Sequence, residues 1–332
     1  MPGPHPAVAA TRLAVRRALR SQDRGVLAAV SGGADSLALA AAVAFECDAR
    51  RPAGLPIRAA AVIVDHGLQD GSAQVAAQAA QTCRDLGLGA EVVRVEVGSV
   101  GGGGPEARAR AARYAAIEEA RRRAGADVVL LGHSRDDQAE QVLLGLARGS
   151  GTRSLSGMPP ERGAIRRPFL ALPRETTRAA CEAQGLQVWH DPHNLDPRYR
   201  RVRTRLLLAA IEDELPGIGA ALARSADLLR DDADALDAVA RHLRDRVGES
   251  ECEVAAVEGE PAAIRRRLWR LLALEHGVPP GDLRAGHLAD VDALVADWHG
   301  QGPIDLPGGV RVSRLADPPR LVVECDPSRR VR

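Results

Sequence analysis

The chain contains no lysine; all 45 of its Lys+Arg positions are arginine. That excludes a lysine-bearing Walker loop, a pyridoxal Schiff base and a lysine nucleophile within the chain. Aromatic residues make up only 2%, so the 45% hydrophobic content rests on Ala, Val and Leu, which pack well in helices and parallel sheets. No apolar run approaches the ~20 residues of a membrane span. The five cysteines, Cys47, Cys83, Cys181, Cys252 and Cys325, form no CxxC pair and no Cys/His cluster. They fit small buried hydrophobes in a reducing compartment rather than disulfides or metal ligands. The stretch 7–20 is Arg-rich and amphipathic but lacks a signal-peptide core. It reads as a first helix packed on the domain, and the expected location is the cytoplasm. A net charge of +1 means that any nucleic-acid contact must use a local patch.

What is present is an alternation. Strand-like runs at 26–30, 59–65, 90–97 and 127–133 are separated by helical stretches at 35–47, 73–86 and 106–124. Near-continuous apolar strands alternating with helices predict an α/β domain, a parallel sheet covered on both faces. A flexible loop at 98–107 leads into the third helix, begun by Pro105 and Glu106. Another βα-like unit is expected at 165–185, a helical region from Leu206 to about Trp298, and short strands over 302–324. With 332 residues the chain is expected to form two domains, 1–205 and a mainly helical 206–332. Ligands of such sheets sit beyond the carboxyl ends of the strands. Ser31–Ser36, Asp65 with His66, and His133–Glu140 all fall there and can converge on one crevice.

Ser31, Gly32 and Gly33 follow the first strand, and Asp35 and Ser36 open the next helix. Glycines admit a close backbone approach to an anion, and the helix N-terminus offers free N–H groups. Ser31 and Ser36 add hydroxyl donors, and Asp35 makes sense beside a polyphosphate mainly with Mg²⁺. The plainer reading is a βα turn with a capping Asp-Ser. The strand–turn–helix context favours phosphate. Asp65 can meet an adenosine or a metal, whereas His66 can equally be a packing residue.

In "GHSRDDQAEQVLLGLARGSG", His133 ends a strand, and Asp136, Asp137 and Glu140 open a helix. Asp137 and Glu140 are spaced i,i+3 on one face, suiting a cationic ligand or Mg²⁺. The plainer role for such acids is to complement the helix N-terminus. Arg198, Arg200, Arg201, Arg203 and Arg205 crowd around Tyr199 with no intervening acid. Phosphate contacts explain that run better than a solvated face does.

"SGGADS" after a strand resembles the pyrophosphate loop of the N-type ATP pyrophosphatases. "VSGGADSLAL", "VDHGLQDGS", "EARARAARY", "GHSRDDQAEQVLLGLARGSGTRSLSGM" and "DPHNLDPRYRRVRTR" together resemble the tRNA(Ile)-lysidine synthetases over about residues 25–210, and more loosely to "LPGGVRVSR". GHxxDDQAE with the downstream RGSG is the specific part. The resemblance implies an ATP-pyrophosphatase domain followed by one C-terminal tRNA-binding domain. It also implies a ligase that adenylates C2 of the wobble cytidine in the CAU anticodon of tRNA(Ile). The ε-amine of free L-lysine then displaces AMP.

On this resemblance Ser31, Gly32, Gly33, Asp35, Ser36 and Asp65 bind ATP, with Mg²⁺ at Asp35. Asp137 and Glu140 hold the lysine ammonium, and Arg113 faces the α-phosphate. His133 or one of the carboxylates takes the amine proton. Arg201, Arg203 and Arg205 face the tRNA, although Val202 stands where the family often has Asn. A homodimer is left open. The competing readings are another ATP pyrophosphatase, such as a tRNA thiolase or an amidotransferase synthetase, and a non-catalytic nucleotide- or RNA-binding module. Thiolases of this group tend to carry the CxxC pairs missing here. The intact Asp35, His133, Asp137 and Glu140 argue against a non-catalytic module.

Overall fold

The computed structural model describes residues 3–50, 57–67, 71–95, 105–149, 151–192 and 196–326; of the loop expected at 98–107, residues 98–104 lie outside them and the helix already begins at Pro105. The chain divides into two compact units, 1–230 and 231–332.

The first unit contains α1 (Pro6–Ala18), β1 (Gly25–Val30), α2 (Ala34–Asp48), β2 (Arg58–Asp65), α3 (Ser72–Asp85), β3 (Gly89–Arg94), α4 (Pro105–Arg123) and β4 (Val128–Leu131). It continues through α5 (Arg135–Leu146), α6 (Thr152–Leu155), β5 (Glu161–Arg162), β6 (Ile165–Arg166), α7 (Arg174–Glu182) and α8 (Arg200–Glu214) into α9 (Ile218–Arg244). Residues 205 and 206 lie inside α8, and the division between the units lies inside α9.

The sheet order is β3-β2-β1-β4-β6-β5, parallel except for β5 against β6. All six residues of β1 are buried. Val26, Ala28 and Val30 join a core with residues of α1, α2, α3 and α7, while Leu27 and Ala29 join another with Ile117 and Ala120 of α4. This two-sided burial is why the strand reads as an unbroken apolar run; each Val or Leu so buried contributes about 1.5–3 kcal/mol. A buried pair, Arg166 Nη1 to Asp23 Oδ2 at 2.6 Å, ties β6 to the segment before β1.

β2 and β3 lie on one side of β1 and β4 on the other, so strand order reverses between β1 and β4. A crevice opens at such a reversal. Gly132, just after β4, makes the closest approach: a Cβ there would stand 2.7 Å from the Asp35 carbonyl oxygen. Only glycine lets the end of β4 lie against the start of α2.

The second unit holds the end of α9, β7 (Glu251–Glu253), α10 (Ala262–Glu275), α11 (Ala285–Ala296), β8 (Ile304–Leu306), β9 (Val310–Ala316) and β10 (Pro319–Cys325). Its antiparallel sheet runs β7-β10-β9-β8. Leu268, Trp269, Leu272, Leu294 and Leu321 fill its core. The buried Asp292 accepts from Arg265 at 2.8 and 3.0 Å and from the Trp269 indole at 3.2 Å. The region expected to be helical to about residue 298 is interrupted by β7. Three residues carry no periodic signal, and this strand exists through its pairing with β10.

Candidate active site

The phosphate loop is built from a left-handed glycine and a helix start without a side-chain cap. Gly32 has φ +84°, and Gly33 is the N-cap of α2 with no side-chain cap. The leading N–H groups of α2 are therefore left for an external anion. Ser36 Oγ accepts from the Ser31 N–H at 3.0 Å and donates to the Gly33 carbonyl at 2.9 Å, closing the turn on itself. Ser31 Oγ lies 3.2 Å from it. The Trp189 N–H donates to the Gly32 carbonyl at 3.0 Å and pins the loop from the far side.

Beyond the loop opens a cavity of about 340 Å³, lined by Ser31, Gly33, Asp65, His66, Arg113 and Trp189 among others. It sits at the carboxyl ends of β1 and β2 and is large enough for a nucleoside. Asp65 is buried, and Oδ1 accepts from the Gly67 N–H at 2.9 Å. That bond holds the carboxyl below its usual range, with Ser72 and Arg94 adding to it against burial. His66 is pushed down by burial and then by the Arg113 charge.

The second group is a carboxylate cluster around one cation. Asp137 Oδ2 accepts from the Ser134 N–H at 2.9 Å and the Ser134 hydroxyl at 3.1 Å, capping α5. Asp137 Oδ1 accepts from Arg174 Nη2 at 2.9 Å, and Glu140 Oε1 accepts from the same nitrogen at 3.2 Å. Arg174 Nε stands 3.6 Å from Asp35 Oδ2. Asp136 accepts instead from the Arg174 backbone N–H at 2.8 Å, anchoring the start of α7. Arg205 Nε also reaches Glu140 Oε1, at 2.8 Å. Glu140 Oε2 is buried and has no hydrogen-bond partner among the described residues. It is a buried acceptor left without a donor among them.

The electrostatics follow from that arrangement. Burial works against the Arg174 cation, but Asp137, Glu140 and Asp35 outweigh it and raise its pKa. Burial also pushes Asp137 up, yet Arg174, the Ser134 N–H and His133 hold it below its usual value. Asp35 goes the other way. Burial and the Asp137 and Asp136 charges raise it, although the Thr177 hydroxyl donates to it and Arg174 opposes the shift.

A hard divalent cation would relieve that excess negative charge, and the carboxylate oxygens suit it. No group of three or more His, Cys, Asp or Glu among the described residues is arranged to hold a metal alone. Asp35 is the carboxylate that would hold a Mg²⁺ arriving with nucleotide phosphates.

His133 lies between these carboxylates and a set of arginines. Its Nδ1 is buried without a partner among the described residues. Burial depresses it far below its ordinary value, Arg167, Arg113 and Arg110 add to that, and Asp137 opposes. The ring is therefore neutral at working pH, and burial makes it a weak base. Arg113, a cavity residue, is lowered by burial and by the Arg110 and Arg201 charges.

The expected site residues thus gather in the first unit. Ser31, Gly32, Gly33, Asp35, Ser36, Asp65 and Arg113 surround the loop and cavity, and Asp137, Glu140 and His133 adjoin Asp35. The three arginines of α8 diverge. Arg201 faces the arginine set, Arg205 pairs with Glu140, and the exposed Arg203 donates to the Pro197 and Arg198 carbonyls at 2.8 and 2.9 Å. Arg174, Thr177 and Trp189 escaped the sequence reading. One signal did exist: Arg174 opens α7, where the helix dipole disfavours a cation, so a special partner was implied. Gln138 proves to be architectural, clamping Met158 by bonds of 3.0 and 2.7 Å beside the left-handed Gly157.

Residues 8–211 match the PP-loop domain, and residues 253–315 match the TilS substrate binding domain. The chain is 51% identical to the tRNA(Ile)-lysidine synthase of Streptomyces coelicolor, over 97% of this chain and 99% of that one. It is also 51% identical to that of Thermobifida fusca, over 95% and 97%. Among solved structures the U34-tRNA thiolase of Methanococcus maripaludis aligns with a TM-score of 0.52 at 18% identity, covering 68% of this chain and 80% of that one. At that identity the likeness is one of fold.

Proposed function

The chain belongs to the tRNA(Ile)-lysidine synthase family, and from that premise we propose that it joins free L-lysine to the wobble cytidine of the CAU anticodon of tRNA(Ile). The product is lysidine, which changes the codon read from AUG to AUA, and ATP leaves as AMP and pyrophosphate. Residues 1–205 carry the chemistry and 206–332 hold the tRNA body. The setting is the cytoplasm, where tRNA, ATP and lysine meet; no described helix is long and apolar enough to cross a membrane.

In the first step the cytidine C2 oxygen attacks the α-phosphorus, and the bond to the pyrophosphate oxygen breaks. The α2 N-terminus with Ser31 and Ser36 holds the leaving pyrophosphate, and Arg113 meets charge developing on the α-phosphoryl oxygens. Asp35 would hold Mg²⁺, which when bound neutralises phosphate charge. In the second step the lysine ε-nitrogen bonds to C2 and the C2–O bond to AMP breaks. Glu140 Oε2 and Asp137 seat the incoming ammonium. His133 or one of the neighbouring carboxylates takes the proton that the amine must lose.

The observation that carries this reading is that Asp35 of the phosphate loop and the Asp137–Glu140 pair share a single cation, Arg174. The phosphate loop and the carboxylate pair therefore adjoin, which supports an activated base and an amine meeting in one place. A thiolation reading has less support. Burial pushes the Cys83, Cys181 and Cys252 thiols up to about 11, leaving them protonated and unreactive at neutral pH. The test is an assay with CAU-anticodon tRNA(Ile), ATP, Mg²⁺ and labelled lysine. Incorporation is expected, and none with folded protein and cognate tRNA would refute the reading.

A further inference from the structure

Arg110 and Arg167 converge on Tyr114, next to the cavity residue Arg113. Arg110 Nη2 donates to the Tyr114 hydroxyl at 3.2 Å, with its guanidinium 5.0 Å from the ring centre. Arg167 feels the same tyrosine, which opposes the lowering of its pKa by burial. It is 6% exposed, and Nη1 donates to the Pro159 carbonyl at 2.8 Å. Its Nε is buried with no partner among the described residues. A buried guanidinium N–H without an acceptor is costly unless a ligand supplies one.

The cluster lacks compensating charge. Among the described residues no carboxylate forms an ion pair with Arg110, Arg113, Arg167 or Arg201, whereas Arg16, Arg121, Arg166, Arg174 and Arg265 each have at least one. Burial and then the Arg110 and Arg162 charges lower Arg167, with Tyr114 opposing, and burial, Arg110 and Arg201 lower Arg113. In a chain of net charge +1 this is a local concentration of unpaired cations. It is suited to an anion.

ATP accounts for only part of it. The pyrophosphate belongs at Ser31–Ser36 and the α-phosphate at Arg113. Arg110 is exposed on α4, one turn before Arg113, and Arg167 comes from the segment after β6. The nucleotide whose C2 oxygen reaches the α-phosphorus brings its own backbone phosphates close behind its base. We propose that Arg110 and Arg167, braced by Tyr114, seat an RNA backbone phosphate flanking the target base. This rests on the RNA-modifying reading above.

The probe is a CAU anticodon stem-loop RNA, bound in the absence of ATP and lysine and followed by fluorescence anisotropy from 50 to 200 mM salt, roughly the span over which phosphate contacts separate. Arg110 is exposed, so R110A leaves the fold intact. Loss of one charged phosphate contact is expected to weaken binding about tenfold. The slope of log K against log salt should flatten by about one. R167K should retain part of the affinity that R167Q loses, and ATP affinity should be unchanged in R110A. Unchanged RNA affinity and slope in R110A would overturn the proposal. So would a loss confined to ATP binding, which would assign the cluster to the nucleotide. If wild type incorporates no lysine while R110A still weakens RNA binding, the reaction assignment fails and the phosphate seat stands.

Discussion

Arg174 Nη2 stands 2.9 Å from Asp137 Oδ1, and that contact ties the first residue of α7 to the first turn of α5. The same guanidinium spans from Asp35 at the phosphate loop to Glu140 deep in α5. One cation therefore decides whether several buried carboxylates can coexist beside a polyphosphate.

Removing it should be severe. R174A leaves Asp137 and Glu140 buried without their shared partner, and breaking a buried pair of this kind costs about 3–5 kcal/mol. The urea midpoint of R174A should fall accordingly and R174K should recover part of it. A midpoint equal to wild type would mean that Arg174 does not balance the cluster.

D137N tests a residue with two duties. An Asn at 137 can accept from the Ser134 N–H only by turning its NH₂ toward Arg174. We expect a modest stability loss of about 1 kcal/mol from the weakened cap. Lysine transfer should fall about a hundredfold, as for a charged contact worth roughly 2–5 kcal/mol. Filter binding should show tRNA affinity nearly unchanged. A fully active D137N would remove Asp137 from the site.

The pH dependence of stability has a definite sign at His133. Its folded pKa is depressed, so the unfolded chain takes up the proton first, as pH drops below about 6.5. Stability from this group is full above that pH and declines as pH falls towards the folded value. Thermal midpoints measured downward from pH 7.5 should fall less steeply in H133N than in wild type. Equal slopes would place His133 in a solvated setting.

Much of this molecule was legible in the chain because burial on two faces and glycine geometry leave local marks. β1 and α2 are visible in Val26–Ser36, and the i,i+3 spacing of Asp137 and Glu140 already put two carboxylates on one face. The order of strands was not legible, since nothing local says that β4 lies beside β1. Arg174 was hidden for a similar reason. It follows the two-residue β6 and an irregular segment, and its partners are 34 and 37 residues distant in sequence. β7 has no periodicity of its own. Gln138, inside the same motif, holds a turn through its two bonds to Met158.

The most direct measurement is a single-turnover reaction with CAU tRNA(Ile) and ATP labelled in the α-phosphate, comparing wild type with E140Q. Without lysine, wild type should place the label on the tRNA. Added lysine should then release it as AMP with equal uptake of lysine. E140Q, lacking the carboxylate with the unpartnered Oε2, should still form the labelled tRNA but release AMP about a hundredfold more slowly at the same lysine concentration. A tRNA that never takes up label, or an E140Q that releases AMP as fast as wild type, would contradict a shared site for the activated base and the lysine amine.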